Sequence, residues 1–189
     1  MNITVLGIGY VGLVTGSCFS KFHNVICCDI DQKKIDSLKN LDLPIYEENL
    51  LNIVTASYEN KSISFSSSLE ESIEGSDVIF LCVGTPECED GSANLDYIFE
   101  AARNIASMLT KDVLIACKST VPVGTCEKIN DIIKEELESK KKDIKFRVLS
   151  NPEFLREGSA VHDFMNPDRV IIGLEDDAKA KEIMENLYL

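Results

Sequence analysis

Three glycines near the start of the chain have the spacing of a phosphate-binding turn. Gly7, Gly9 and Gly12 form a GxGxxG motif directly after the apolar run at residues 3–6 and directly before a helical pattern. Gly7 permits a tight turn, Gly9 lets the backbone approach a pyrophosphate, and Gly12 allows close packing of helix on strand. The helix N-terminus adds N–H donors and a partial positive charge. The motif therefore predicts a dinucleotide site, with a ligand-free glycine turn as the alternative.

An aspartate stands where a dinucleotide site needs a carboxylate. Asp29 follows the apolar run at residues 25–28, twenty positions after Gly9, where a carboxylate accepts hydrogen bonds from both hydroxyls of an adenine ribose. It would repel the 2′-phosphate of NADP, so the predicted cofactor is NAD. The alternative is that Asp29 only caps the next helix. Asp31 is the better placed cap, because that helical segment starts at Gln32.

Polar loops follow three further predicted strands. Thr85 lies after the strand at residues 78–83, the run 118–125 follows the strand at 113–117, and the run 151–158 follows the strand at 146–149. Open α/β sheets bind ligands at the carboxyl ends of their strands, so these loops and their hydroxyls are expected to line one crevice. If Glu153 begins a helix, Glu153 and Glu157 share one face. Capped turns and a solvated charged face are the alternatives.

Apolar runs alternate with helical patterns along the whole chain, which predicts an α/β fold with a doubly wound, mostly parallel sheet and helices on both faces. Strands are predicted at residues 3–6, 25–28, 63–65, 78–83, 113–117, 146–149 and 169–172. Helices are predicted at residues 11–22, 33–41, 48–57, 69–73, 95–109, 126–137 and 177–187, with a loop and helix at 151–164. No linker or repeat divides residues 1–189, so one domain is expected.

Charge and composition exclude several classes of protein. The chain has 19 Lys+Arg against 32 Asp+Glu, and its net charge of −13 opposes binding to nucleic acid and to anionic membranes. No run approaches the roughly 18 apolar residues of a membrane span. Seven cysteines, without CxxC pairs or histidines at ligand spacing, predict neither a metal site nor a disulfide framework. Thiols in apolar runs suit a reducing compartment, so a cytoplasmic location is expected.

Three longer motifs resemble one known family. GIGYVG at residues 7–12, KSTVPVGT at 118–125 and NPEFLREGSAVHDFMNPDRVIIG at 151–173 resemble, in this order, the UDP-glucose/GDP-mannose dehydrogenases. The resemblance implies that a sugar C6 alcohol is oxidised twice by two NAD molecules to a carboxylate, through thiohemiacetal and thioester intermediates on an enzyme cysteine. The run from Arg156 to Arg169 resembles the UDP-glucose branch, which implies UDP-glucose as substrate and UDP-glucuronate as product.

The motif and the resemblance together assign roles to individual residues. NAD contacts are expected from Gly7, Gly9, Tyr10, Val11, Gly12, Asp29, Lys34, Thr85, Thr120 and Glu157. Substrate contacts are expected from Glu153, Phe154, Leu155, Arg156 and Glu157. The resemblance makes Thr120 and Glu153 catalytic: a carboxylate can activate the water that hydrolyses a thioester, and a threonine hydroxyl can hold that water in place.

The resemblance also implies parts of the family that residues 1–189 do not include. The family's cysteine lies further along, with a lysine, an asparagine and an aspartate, a central helix and a UDP-binding domain. We therefore expect the NAD-binding half of a longer architecture, inactive alone, whose full-length relatives are homo-oligomers. The alternatives are a dehydrogenase of UDP-N-acetylmannosamine or GDP-mannose, another hydroxy-acid dehydrogenase sharing only the cofactor domain, and a non-catalytic NAD-binding module.

Overall fold

Six short apolar runs form one parallel β-sheet in a computed structural model that describes residues 1–188. In chain order the strands are β1 (Asn2–Leu6), β2 (Asn24–Cys28), β3 (Ile63–Ser66), β4 (Val78–Leu81), β5 (Val113–Cys117) and β6 (Phe146–Ser150). Every neighbouring pair is parallel, and the order across the sheet is β3-β2-β1-β4-β5-β6. The predicted doubly wound α/β fold is confirmed.

Helices connect the strands and cover both faces of the sheet. Within residues 1–188 they are α1 (Tyr10–Phe19), α2 (Gln32–Lys39), α3 (Leu50–Glu59), α4 (Leu69–Ile73), α5 (Asp96–Met108), α6 (Thr125–Ser139), α7 (Ala160–Met165) and α8 (Ala178–Tyr188). Side chains alternate between the faces of a strand, so β4 sends Phe80 into one buried cluster and Ile79 into another. Helices α1, α3 and α8 cover the first cluster, and α5 and α6 cover the second. Burial on both faces explains why β4 and β5 read as continuous apolar runs.

Most predicted elements lie within three residues of the observed ones, with informative exceptions. The helix predicted at residues 11–22 ends at Phe19, because the chain must turn before it enters β2 at Asn24. His23 closes that turn by donating its N–H to the carbonyl of Phe19 at 2.9 Å, and Phe22 points into solvent. The apolar pattern therefore runs past the end of the helix.

The strand predicted at residues 169–172 is wrong. None of these four residues pairs with the sheet; the one isolated antiparallel bridge here is made by the next residue, Gly173, with Ser150 at the end of β6. The carbonyl of Ile171 accepts instead from the side-chain amide of Asn151, at 2.9 Å. Arg169 places its guanidinium 4.6 Å from the centre of the Phe154 ring. The segment is thus held by the side chains of Asn151 and Phe154, and not by backbone hydrogen bonds to a neighbouring strand.

The two edges of the sheet have different surroundings. The register aligns the last residues of β2, β1, β4, β5 and β6, so the loops that follow these strands emerge along one line, which we call the carboxyl edge. The strand order reverses between β1 and β4, where open α/β sheets form a binding crevice. At the opposite, amino edge, Asp77 accepts from the N–H of Asn2 at 2.9 Å and from Lys111 at 2.8 Å.

Candidate functional site

The turn after β1 requires glycine at two positions. Gly7 has a φ of +90°, and a Cβ added there would lie 2.6 Å from the carbonyl oxygen of Cys82. A Cβ on Gly12 would collide with the carbonyl oxygen of Gly7. These two glycines let α1 start directly beneath the turn and close to the strand ends.

The middle glycine of the turn faces open space. A Cβ on Gly9 would meet nothing within 4 Å, although Gly9 is the N-cap of α1. No side chain caps this helix, so the N–H donors of its first turn remain available to a ligand. Free donors, an aligned helix dipole and room for close approach suit a diphosphate, so the turn fits the phosphates of a dinucleotide.

Asp29 lies at the end of β2 and is tied to the glycine turn. Its Oδ2 accepts from the N–H of Ile8 and from Lys34 Nζ, both at 2.8 Å, and its Oδ1 accepts from the N–H of Asp31 at 3.0 Å. Burial raises the pKa of Asp29, but the bonds from Lys34 and the backbone N–H groups outweigh it and hold the pKa below its usual value. Asp29 is therefore an ionised acceptor beside the turn.

Asp31 caps α2, as the sequence indicates. Its carboxylate accepts from the N–H groups of Lys33 and Lys34, at 3.0 and 3.3 Å. Asp29 makes neither of these bonds, so the alternative in which it only caps the helix does not hold. The ammonium group of Lys34 contacts the Asp29 carboxylate. Asp29 and Lys34, both expected to contact NAD, are therefore next to each other.

The loops after β4 and β5 are joined by a threonine. Thr85 donates its hydroxyl to the carbonyl of Thr120 at 2.9 Å. Ser119, Thr120 and Thr125 all line one crevice, and two of their hydroxyls also donate to backbone: Ser119 to the carbonyl of Val83 and Thr125 to the carbonyl of Pro122, both at 2.7 Å. Thr120 is the exposed residue of these three.

Glu153 does not begin a helix, so the expected helical face shared with Glu157 is wrong. Residues 151–156 have no regular structure, and α7 starts only at Ala160. Pro152 disfavours a helical backbone at Asn151, because its ring clashes with the N–H and Cβ of the residue before it. Glu153 is half-buried and Glu157 is exposed.

Two cavities meet at Glu153. One, of about 310 Å³, is lined by Lys118 and by the run Glu153, Phe154, Leu155 and Arg156, among others. The second is a larger cleft of about 1070 Å³, which Thr120 and Glu153 both line. The two residues predicted to be catalytic therefore share one cleft. Neither cavity is lined by the glycine turn.

Arg156 is held by Asp163 from the first residues of α7. The carboxylate of Asp163 accepts from the backbone N–H and Nε of Arg156 at 3.0 Å and from its Nη2 at 2.7 Å. These bonds hold the pKa of Asp163 well below its usual value. The ion pair fixes the Arg156 backbone but leaves the guanidinium largely exposed.

The Asp163 carboxylate makes a testable contribution to acid stability. Because its pKa is lower in the folded chain than the usual value of about 3.9, its contribution is present above that value and is lost as the pH falls below it. We expect Asp163→Asn to have a lower free energy of unfolding than wild type at pH 7, with a gap that shrinks as the pH falls from about 5 towards 2. Urea unfolding across this range measures the gap. Asp176→Asn, an exposed site with the same change in charge, is the control; a gap independent of pH would contradict the assignment.

Two residues of the site are absent from the sequence-based assignments. Lys118 is 4% exposed, and its Nζ lies 3.3 Å from both Asn151 Oδ1 and the Tyr188 hydroxyl; burial lowers its pKa. Lys118 has a signal in the sequence, as a lysine directly after a buried strand. Glu47, also buried, lies in an unremarkable loop between two helices, where no pattern marks it.

The cysteines lie mostly in the core. Cys18, Cys27, Cys28, Cys82 and Cys117 are buried, and burial raises the pKa of the Cys18 and Cys82 thiols to about 12. Within residues 1–188 no group of three or more His, Cys, Asp or Glu side chains is arranged to hold a metal ion. Over the same residues, no helix combines the length and apolar character needed to cross a membrane.

Comparison with known proteins identifies the family. The family described as UDP-glucose/GDP-mannose dehydrogenase, NAD binding domain, matches residues 1–189. The chain is 44% identical to UDP-glucose 6-dehydrogenase of Rhizobium meliloti, over 100% of this chain and 43% of the relative. It is 45% identical to UDP-glucose 6-dehydrogenase TuaD of Bacillus subtilis, over 99% of this chain and 40% of the relative. The chain thus spans less than half the length of these relatives.

A solved structure shows the same fold over the same range. The UDP-glucose dehydrogenase of Pyrobaculum islandicum superimposes with a TM-score of 0.91 at 38% identity, covering 99% of this chain and 43% of that one. Fold, sequence motifs and family match agree over the full length of the chain. The chain belongs to the UDP-glucose/GDP-mannose dehydrogenase family and corresponds to its NAD-binding domain.

Proposed function

We propose that this chain binds NAD for the oxidation of UDP-glucose at C6, to UDP-glucuronate, in two successive hydride transfers. The observation that carries the proposal is the open, uncapped start of α1 at Gly9 with an ionised aspartate beside it at the end of β2. The first feature suits a diphosphate and the second suits the hydroxyls of an adenine ribose. Bound NAD would supply the hydride acceptor.

The residues that would hold NAD lie along the carboxyl edge. Gly7, Gly9, Tyr10, Val11 and Gly12 would surround the diphosphate at the start of α1. Asp29 and Lys34 would contact the adenine ribose, and the Thr85–Thr120 bond would fix the two loops on the nicotinamide side. Glu157 would contact the cofactor from the opposite loop. Asp29 disfavours a 2′-phosphate, which supports NAD over NADP.

Glu153 and Thr120 are proposed as the catalytic residues of this chain. Both line the larger cleft, and Thr120 is exposed. The Glu153 carboxylate would accept a proton from the water that hydrolyses the thioester intermediate, and Thr120 would orient that water. Glu153, Phe154, Leu155, Arg156 and Glu157 would contact the nucleotide sugar, with four of them lining the smaller cavity.

The choice of UDP-glucose rests on the relatives. Among the solved structures, identity is 38% to the UDP-glucose dehydrogenase of Pyrobaculum islandicum and 32% to the GDP-mannose dehydrogenase of Pseudomonas aeruginosa. We further propose that residues 1–189 form one domain, that sustained two-step oxidation needs a cysteine from outside the matched region, and that the complete enzyme is a homo-oligomer. Free and mostly buried thiols support a cytoplasmic location.

Calorimetric titration of the purified chain tests the proposal. We expect NAD to bind at a one-to-one ratio, NADP to bind far more weakly, and UDP-glucose to give little heat on its own. NADH formation with NAD and UDP-glucose should be absent or transient. Failure to bind NAD would refute the cofactor assignment. Sustained turnover would show that the chain needs no further cysteine. In the full-length protein, equal turnover with GDP-mannose and UDP-glucose would refute the proposed substrate.

A further inference from the structure

Glu47 is a buried carboxylate without a cation. It is 5% exposed, whereas its neighbour Tyr46 is 88% exposed and Glu48 also faces solvent. Within residues 1–188 no lysine, arginine or histidine forms an ion pair with it. A buried charge of this kind is costly unless hydrogen bonds satisfy it, so its donors indicate what it is for.

Three donors from two distant parts of the chain converge on this carboxylate. Oε1 accepts from the Tyr10 hydroxyl and from the N–H of Gly158, the latter at 2.6 Å, and Oε2 accepts from the N–H of Ala160 at 3.0 Å. The Tyr10 hydroxyl also lies 3.2 Å from the carbonyl oxygen of Arg156. Glu47 thus joins the first residue of α1 to the segment that precedes α7.

Ala160 is anchored in the core, but the backbone of residues 156–159 before it has few other hydrogen bonds. Arg156, Glu157 and Gly158 are all exposed, and Gly158 turns with a φ of +88°. Apart from the bonds to Asp163, a turn between Ser159 and Arg156 and the bond from the Tyr10 hydroxyl to the carbonyl of Arg156, the hydrogen bonds of this backbone outside α7 are those to Glu47. The placement of Glu157 therefore depends on a residue more than a hundred positions away in the chain.

We propose that Glu47 is a positioning residue: it holds the 156–160 segment against the start of α1, so that the residues facing the nucleotide sugar keep a fixed place relative to the glycine turn before either ligand binds. This inference rests on the proposed function. It assigns Glu47 no contact with a ligand, because its carboxylate oxygens are already taken by Tyr10, Gly158 and Ala160.

The ionised state of Glu47 is consistent with this role. Burial raises the pKa of the carboxyl group. Hydrogen bonds from the Tyr10 hydroxyl and from the backbone N–H groups of Gly158 and Ala160 outweigh that effect, so the pKa is below its usual value. In turn, burial and the Glu47 carboxylate raise the pKa of Tyr10, so its hydroxyl stays protonated and able to donate. The carboxylate and its donors stabilise each other in the states that the bridge requires.

Hydrogen exchange of individual amides tests whether Glu47 holds the segment. Glu47→Gln keeps the size of the side chain but turns an NH2 group towards one of two backbone N–H donors. We expect the amides of Gly158 and Ala160 to exchange about tenfold faster or more in this variant. Glu48→Gln, the exposed neighbour with the same change in charge, should leave both rates at the wild-type value. Unchanged exchange in Glu47→Gln would overturn the inference.

NAD titration tests whether the placement matters for the cofactor site. In folded Glu47→Gln we expect the Kd for NAD to rise about threefold to tenfold, and in Glu48→Gln to stay unchanged. A purely structural role would lower the Tm and leave the Kd of the folded protein at the wild-type value, which would count against positioning. If wild type itself does not bind NAD, the proposed function fails, while the exchange rates still decide whether Glu47 holds the segment.

A second variant covers the case in which Glu47→Gln does not fold. Tyr10→Phe removes one hydroxyl at the surface of α1 and leaves the carboxylate bonded to Gly158 and Ala160. We expect Gly158 to exchange faster, because the carboxylate is then no longer tied to α1. Where both variants fold, the double variant should raise the NAD Kd by less than the product of the single effects. Unchanged exchange in Tyr10→Phe, or independent effects in the double variant, would contradict a link through the tyrosine.

Discussion

Replacing Gly9 with alanine is expected to weaken NAD binding by about tenfold to a hundredfold while leaving the fold intact. The added methyl group meets no protein atom within 4 Å, and the φ of Gly9, −82°, suits alanine. It would, however, occupy the space through which a diphosphate approaches the start of α1, and overpacking of this kind costs about 1–3 kcal/mol. Calorimetry with NAD gives the affinity, and urea unfolding should show a change within about 0.5 kcal/mol.

Gly12→Ala is the matched variant with the opposite expected profile. Its methyl group collides with the backbone carbonyl of Gly7, which cannot move without opening the turn. We expect a loss of about 3 kcal/mol in the free energy of unfolding and a fall of about 6–12 °C in Tm. If Gly9→Ala lowered the Tm as much as Gly12→Ala, or left NAD affinity unchanged, the open space at Gly9 would not be the phosphate site.

The second large effect is expected at Asp29. Asp29→Asn keeps the size of the side chain but removes the charge that would accept hydrogen bonds from a ribose. We expect NAD affinity to fall by about tenfold to a hundredfold, as hydrogen bonds to charged groups contribute about 1.5–3 kcal/mol, and the preference for NAD over NADP to decrease. Parallel titrations with NAD and NADP measure both changes.

Asp31→Asn is the control for the Asp29 variant. It makes the same change in charge two residues away, and asparagine caps a helix about as well as aspartate, so α2 should remain capped. We expect its affinities for NAD and NADP to stay close to those of wild type. Equal losses in the two variants would mean that the effect comes from net charge and that Asp29 has no specific role in cofactor binding.

The fold could be predicted because its signals are local. Each strand is a short apolar run, the turn after β1 carries glycines at the two positions that the structure makes sterically obligatory, and Asp31 stands at the cap of α2. The physical reasons are mostly local: the positive φ of Gly7, the clash of a Gly12 Cβ with Gly7, and the bonds of Asp31 to the next turn. The close approach of Cys82 to Gly7 is the exception. The resemblance to a known family adds predicted roles for particular side chains in the loops after β4, β5 and β6.

What could not be predicted depends on contacts between distant segments. The run at residues 169–172 has the apolar pattern of a strand, but Asn151 takes the carbonyl of Ile171 and only Gly173 pairs with the sheet. The hydroxyl of Ser119 donates to the carbonyl of Val83, 36 positions away, which the fold brings near it. Glu47 finds its donors 37 to 113 positions away, so nothing in its neighbourhood distinguishes it from Glu48.

The difference between the two edges of the sheet bears on how this domain could be re-engineered. All proposed ligand contacts lie at the carboxyl edge, whereas the Asp77 cluster with Asn2 and Lys111 lies at the amino edge. Strands of four or five residues separate the two by about 13–16 Å, beyond the range at which mutational effects usually couple. Substitutions that raise the Tm could therefore be combined at the amino edge and changes of substrate preference at the carboxyl edge. Their effects on the free energy of unfolding should be additive.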